Sequence, residues 1–160
     1  MNASNSLVER PDVSQASSFV FRLPTEAEWE YACRAGLTGQ DYGFARDEGT
    51  LDDYAWHAGN YKGAPQPVGQ KLPNRYGLYD MHGNVFEWVA DVFDTYDPSY
   101  LNDPVNWDSL SSASRVLRGG SFYDNAENVR CANRVSSLPF SDYNNSGFRV
   151  VFAPPYKSVP

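Results

Sequence analysis

Polar and apolar positions change rhythm several times along the chain. Met1 to Ser18 is polar, carries Ser, Asn and Gln, has little to bury, and reads as a flexible lead. Pro24-Thr25 then opens a helix: Thr25 can cap it, and Glu28, three residues on, completes a capping box. The helix is predicted to run to Ala35 and stop at Gly36, with Trp29, Ala32 and Cys33 on its buried side. Leu37 to Gln70 is interrupted throughout by Gly, Asp, Asn and Pro and predicts mostly loop. Alternation returns at Val85 to Ala90, which predicts a strand with Glu87 on the same face as Val85 and Val89. Phe93 to Ser114 reads as a second long loop, broken at Asp97-Pro98 and Asp103-Pro104. Three further strands are predicted at Arg115–Leu117, Val129–Asn133 and Phe148–Phe152. No internal repeat or low-complexity tract interrupts this order.

A chain of 160 residues suits one domain with a real core, here assigned to residues 19–156 behind the 1–18 lead. Apolar content is modest at 41%, but 15% aromatic residues compensate because each buries a large area. The net charge of −7 argues against a nucleic-acid partner and is compatible with cation binding. No apolar run reaches the length of a membrane span. The N-terminus has neither a basic nor an apolar signal region, so cytoplasmic residence and export after processing both stay open.

Candidate chemistry concentrates in Gly77-Leu-Tyr-Asp80-Met-His-Gly83-Asn84-Val85-Phe86-Glu87-Trp88. A hard cation needs several oxygen ligands close together, and a glycine turn can aim carbonyls inward while Asp80 and Glu87 supply charge. The plainer reading is a solvated carboxylate pair beside a turn. The two cysteines, Cys33 and Cys131, have no CxxC spacing and no nearby His pair, which argues against zinc. Read alone they are two reduced core thiols. His82 reads as a turn residue bonded to backbone, and His57 as a surface residue.

Five segments arrive in a fixed order: Arg22-Leu-Pro-Thr-Glu-Ala-Glu-Trp-Glu-Tyr-Ala-Cys33-Arg-Ala-Gly36, the Gly77–Trp88 stretch, Arg115-Val-Leu-Arg-Gly-Gly-Ser121-Phe, Val129-Arg-Cys131-Ala-Asn-Arg134 and Gly147-Phe-Arg-Val-Val. Together they resemble the formylglycine-generating enzyme, or sulfatase-modifying factor, family from about Phe21 to Phe152. The resemblance implies an α+β fold, a variant of the C-type lectin-like fold, loop-rich with a short twisted antiparallel sheet. It implies burial of Trp29, Trp88, Phe148 and Val150. It implies a structural calcium on the positions of Asp80, Gly83, Val85 and Glu87, where the family commonly has Asn first; Asp80 adds a second full charge. It also implies that Cys33 and Cys131 pair as a disulfide, which would close a long loop worth roughly 4–5 kcal/mol in the chain-entropy model. Only Met1 to Phe21 precede the first motif, so the domain is N-terminally shortened relative to the family. A minimal domain, a fragment, or a second chain that completes the sheet each accounts for this.

The family's aerobic enzymes hold copper(I) on two cysteines after the Gly-Gly-Ser motif and convert a substrate cysteine to formylglycine. Here the first position falls on Asp124 and the second near Val129, and neither side chain can stand in for a thiolate. The tryptophan of the substrate site is Phe86, and Ser121 alone keeps its identity. The iron-binding hercynine-type branch needs histidines on a helical domain that this chain lacks. No copper is therefore expected, and a sulfatase-modifying oxidoreductase is the alternative reading. The segments Phe122-Tyr123-Asp124-Asn125 and Val135-Ser136-Ser137-Leu-Pro-Phe140-Ser141-Asp142-Tyr143-Asn144-Asn145 have the Tyr, Ser and Asn content of adaptable recognition loops. With Phe86 and Ser121 they form a candidate surface for a protein or small-molecule ligand. The pattern resembles the variable proteins of diversity-generating retroelements. Calcium-dependent sugar binding fits less well, because the Glu-Pro-Asn and Trp-Asn-Asp triplets of true C-type lectins are absent and Asn106-Trp107-Asp108 has the wrong order.

Overall fold

A computed structural model describes residues 19–95 and 113–156. The lead at 1–18, most of the second long loop and Asn106–Asp108 lie outside the described residues. In chain order the regular elements are β1 (Val20–Arg22), α1 (Glu26–Arg34), α2 (Leu51–Tyr54), β2 (Phe86–Val92), β3 (Arg115–Arg118), β4 (Arg134–Ser137), β5 (Ser146–Phe148) and β6 (Val151–Ala153). Single 3₁₀ turns cover Ala58–Asn60 and Ala126–Val129. The class is α+β. Among the described residues no helix is long and apolar enough to cross a membrane.

Helix α1 starts where the capping box predicts. Glu28 N donates to Thr25 Oγ1 at 3.0 Å, and Thr25 N donates to Glu28 Oε2 at 2.8 Å, a cap worth about 1 kcal/mol. Arg22 grips the same carboxylate with two nitrogens at 2.7 Å. Those hydrogen bonds hold the Glu28 carboxyl below the usual range despite partial burial. The helix ends at Ala35, in left-handed conformation at φ 48°. Its inner face sets Trp29 and Cys33 against Met81, Val89, Val116 and Cys131, which form the core.

The main sheet has the order β4-β3-β2-β5, and β1 pairs with β6 in a separate two-stranded ribbon. The expected all-antiparallel sheet is instead mixed. β2 runs antiparallel to β3 but parallel to β5, with Phe86 opposite Ser146 and Trp88 opposite Phe148.

Two predicted strands are corrected. Val129–Asn133 is not extended: the backbone turns through Ala126–Val129, and β4 begins only at Arg134. The backbone groups there serve other partners. Cys131 N donates to Asp41 O at 2.8 Å, and the Arg118 guanidinium takes the carbonyls of Cys131 and Asn133. Phe148–Phe152 splits at Arg149 and Val150 into β5 and β6, which belong to different sheets.

The burial expectation holds for Trp29 and fails for two others. Phe148 is 69% exposed and Val150 55% exposed, while Trp88 is half-buried. Val150 lies in the link between β5 and β6, and Phe148 pairs with Trp88 where β5 forms the edge of the sheet. Trp88 and Phe148 instead line an apolar groove of about 490 Å³ with Leu23, Val89, Arg115 and Tyr156.

A buried charged network ties α1 to β3 and β4. Arg118, 0% exposed, donates through Nη2 to Glu30 and to Cys131 O and through Nη1 to Asn133 O. Its Nε lies 3.7 Å from Glu26, which Arg134 also holds at 2.6 Å.

Candidate functional site

The Gly77–Trp88 segment folds into a tight turn that enters β2. Asp80, Gly83 and Asn84 all take left-handed φ, at 55°, 72° and 62°. Asn84 stitches the turn to its neighbours. Its N donates to Trp56 O, its Oδ1 accepts from Gln66 N, and its carbonyl accepts from Phe122 N. Gly83 N donates to Gly119 O at 2.8 Å. Three segments, at Trp56, Gln66 and Gly119–Phe122, therefore meet on one Gly-Asn pair.

The two carboxylates of the turn are unequal. Asp80 Oδ2 accepts from Gly69 N at 2.7 Å, while its Oδ1 is buried with no hydrogen-bond partner. Glu87 is engaged on both oxygens: Oε2 accepts from Trp29 Nε1 at 2.6 Å and Arg149 Nε at 2.5 Å, and Oε1 accepts from Arg149 Nη2 at 2.6 Å. The same Nη2 lies 3.1 Å from Tyr79 O and 3.3 Å from Asp80 O. Burial works against the Arg149 charge, but Glu87 and Asp80 outweigh it and raise its pKa.

As a calcium site these residues fit through Asp80, whose orphaned anionic oxygen is the kind of donor a hard cation takes. Glu87 contributes less freely because a guanidinium already neutralises it. Arg149 is a residue the pattern did not flag.

The second cluster was missed. His82 lies beside both cysteines: Cys33 Sγ is 2.6 Å from Cys131 Sγ and 3.8 Å from His82 Nε2. All three residues are buried and both thiols are free. The hydrogen bond from Cys33 pulls the Cys131 thiol down to about 6, with His82 assisting. Burial pushes the Cys33 thiol up. His82 does bond to backbone, donating from Nδ1 to Val129 O at 2.8 Å and accepting at Nε2 from Gly43 N at 3.0 Å. His57 is not a surface residue. It is buried, 2.7 Å from Asp52 Oδ1, and caps the Ala58–Asn60 turn.

The candidate binding surface divides. Phe86, Ser121, Tyr123, Asp124 and Asn145 come together. Phe86 N donates to Asn145 O at 2.8 Å, and Asn145 Nδ2 is 3.4 Å from Ser121 Oγ. Tyr143 and Asn144 lead into this corner and are exposed, as is Asn125 on the far side of Asp124. Val135, Ser136 and Ser137 do not belong to it. They form β4, at the opposite edge of the sheet from β5, and Ser141 sits in the turn between. Ser121 is fully buried, so it is a framework residue rather than a contact. Its Oγ donates to Asp124 Oδ2 at 2.5 Å, and its N donates to the same oxygen at 3.0 Å.

An aromatic platform flanks this corner. Tyr61 stacks on Phe122 at 5.5 Å and meets Tyr123 at 5.1 Å, the two hydroxyls lying 3.3 Å apart. Tyr61 is 42% and Tyr123 52% exposed. Tyr61 carried no motif that could have marked it; only the fold brings it to Tyr123.

The model of the sulfatase-modifying factor enzyme 1-like domain matches residues 3–154. The formylglycine-generating enzyme of Streptomyces coelicolor is 39% identical over 147 residues, covering 80% of this chain and 45% of the relative. The inactive C-alpha-formylglycine-generating enzyme 2 of Mus musculus is 37% identical over 142 residues, covering 80% and 42%. Among solved structures, Treponema denticola variable protein 1 superposes with a TM-score of 0.74 at 38% identity, covering 84% of this chain and 48% of that one. The chain thus spans less than half the length of each of these three proteins.

Proposed function

The chain belongs to the sulfatase-modifying factor enzyme 1-like family, and from that premise we propose that it is a non-catalytic member whose loops bind a protein or small-molecule ligand. The observation that carries this is the state of the two thiol positions. Asp124 spends its carboxylate closing the Ser121–Asp124 loop, and Val129 is a buried alkyl group. Copper(I) oxidase chemistry needs soft thiolates there, and oxygen or alkyl groups do not supply them. A relative named as the enzyme and one named as inactive match at similar identity, so overall identity does not discriminate between the two readings.

The recognition surface is Tyr61 and Tyr123, backed by the buried Phe122 ring, with Phe86, Tyr143, Asn144 and Asn145. Rigid aromatic anchors beside adaptable amides are the composition of diversified paratopes. The likeness to a protein named as variable supports reading the chain as a retroelement-diversified binder on a C-type lectin-like scaffold. Further strands, from the same polypeptide or a second chain, would cover the exposed β1–β6 ribbon.

Incubation with a cysteine-containing sulfatase peptide, copper and a reductant should give no formylglycine by mass spectrometry. Catalytic turnover would overturn the proposal in favour of the oxidoreductase. The coding region should also have a near-identical template repeat nearby that differs at adenines over the loop codons, and its absence would remove the diversified reading.

We further infer a structural calcium on Asp80 and the carbonyls of Gly83 and Val85, with Glu87 shared with Arg149. At about 100 times its dissociation constant the ion should add about 2.7 kcal/mol. The Asp80→Ala, Glu87→Ala double variant should lose that gain. A melting temperature indifferent to both calcium and a strong chelator would eliminate the site.

A further inference from the structure

We propose that Asn144 is the acceptor for an N-linked oligosaccharide, attached within the run Asp142-Tyr143-Asn144-Asn145-Ser146. The triplet Asn144-Asn145-Ser146 has the Asn-x-Ser form, without proline in the middle, on which membrane-bound oligosaccharyltransferases act. Asp142, two positions before the acceptor, adds the acidic residue that transferases with an extended recognition sequence require. One other Asn-x-Ser triplet occurs in the chain, Asn2-Ala3-Ser4, and no acidic residue precedes it.

The place of this run in the fold suits the modification. Asp142, Tyr143 and Asn144 are exposed. Ser146 N donates to Tyr143 O at 3.2 Å, which sets Asn144 and Asn145 at the corner of the turn that enters β5. A large hydrophilic group on Asn144 therefore displaces nothing in the core. Ser146 is the more telling residue. Its Oγ is buried with no hydrogen-bond partner, so the hydroxyl contributes nothing to the fold and burdens it with an unsatisfied polar atom. A hydroxyl two residues after the acceptor is what glycan transfer requires. That hydroxyl is open to an enzyme only while β5 is undocked from Phe86 and Trp88 of β2. Transfer therefore belongs to the chain before it folds, as it leaves the cytoplasm. In the reaction the Asn144 amide nitrogen attacks the anomeric carbon of a lipid-diphosphate-linked oligosaccharide. A C–N bond forms, the C–O bond to the diphosphate breaks, and the lipid diphosphate leaves with that electron pair. The amide proton passes to a base of the transferase, and nothing is oxidised or reduced. The glycan stands next to Tyr143, at one side of the surface proposed above, but its assignment does not rest on that binding role.

The test is export of the full chain, behind a cleavable leader, into a periplasm that holds a transferase of the extended type and its lipid-linked oligosaccharide. Mass spectrometry of the tryptic peptide Val135–Arg149 is the readout, which separates Asn144 from Asn2. The expected result is a glycan on Asn144 that Asn144→Gln, Ser146→Ala and Asp142→Ala each abolish. Ser146→Ala removes only an unpartnered hydroxyl, so this variant should melt no lower than the parent, and its loss of glycan is then not a loss of fold. The proposal is overturned if Asn144 of the exported parent is bare, or if the glycan survives Ser146→Ala or Asp142→Ala.

Discussion

Replacing Arg118 by methionine should lower folding stability by about 2–5 kcal/mol, because two backbone carbonyls lose their donors at about 1–3 kcal/mol each. Methionine fills much of the space, so the loss is electrostatic rather than a cavity. Glu26 keeps Arg134 and Glu30 keeps Arg34. The Cys131 and Asn133 carbonyls, however, lose the guanidinium donors that turn the backbone there. Arg118→Lys should fall between the two, because a single ammonium cannot span Glu30 and both carbonyls. Urea unfolding with an unchanged m-value is the measurement. A loss below about 1 kcal/mol would mean that the network contributes no more than a surface pair.

Gly83→Ala should be more damaging still, beyond about 4 kcal/mol or enough to prevent folding. The backbone sits at φ 72°, and an added Cβ would lie 2.0 Å from the Trp56 carbonyl oxygen. That oxygen is backbone, fixed by the hydrogen bond from Asn84 N at 2.8 Å, so no flexible side chain can yield. Gly63→Ala is the control. Its φ is similar at 87°, but nothing lies within 4 Å, and only left-handed strain of about 1–2 kcal/mol applies. Equal thermal shifts in the two variants would refute the close approach of Trp56 and Gly83.

The two variants separate kinds of information. Gly83 lies in a motif readable from residue types, because a Gly-Asn pair between apolar positions marks a left-handed turn. Arg118 sits in a strand where alternation gives no hint that a cation lies at the centre of the core. Phe148 and Val150 make the same point in reverse. Their apolar character invited burial, yet Phe148 lies on an edge strand and Val150 in the link between two strands, and both stay exposed. Val129–Asn133 looked extended because its pattern is local, but its carbonyls answer to Arg118 on another strand.

The sequence by itself determined the capped helix, the Gly-Asn turn and the family. Each of these depends on residue identity at short range or on the order of motifs, and both survive in one dimension. The tertiary structure decided what meets across long separations. It set Arg149 on Glu87, His82 beside Cys33 and Cys131, and Tyr61 on Phe122, and it parted Val135–Ser137 from the Asn145 corner. Such pairs carry no periodicity, because two residues many turns of chain apart share a site only when packing closes the loops between them.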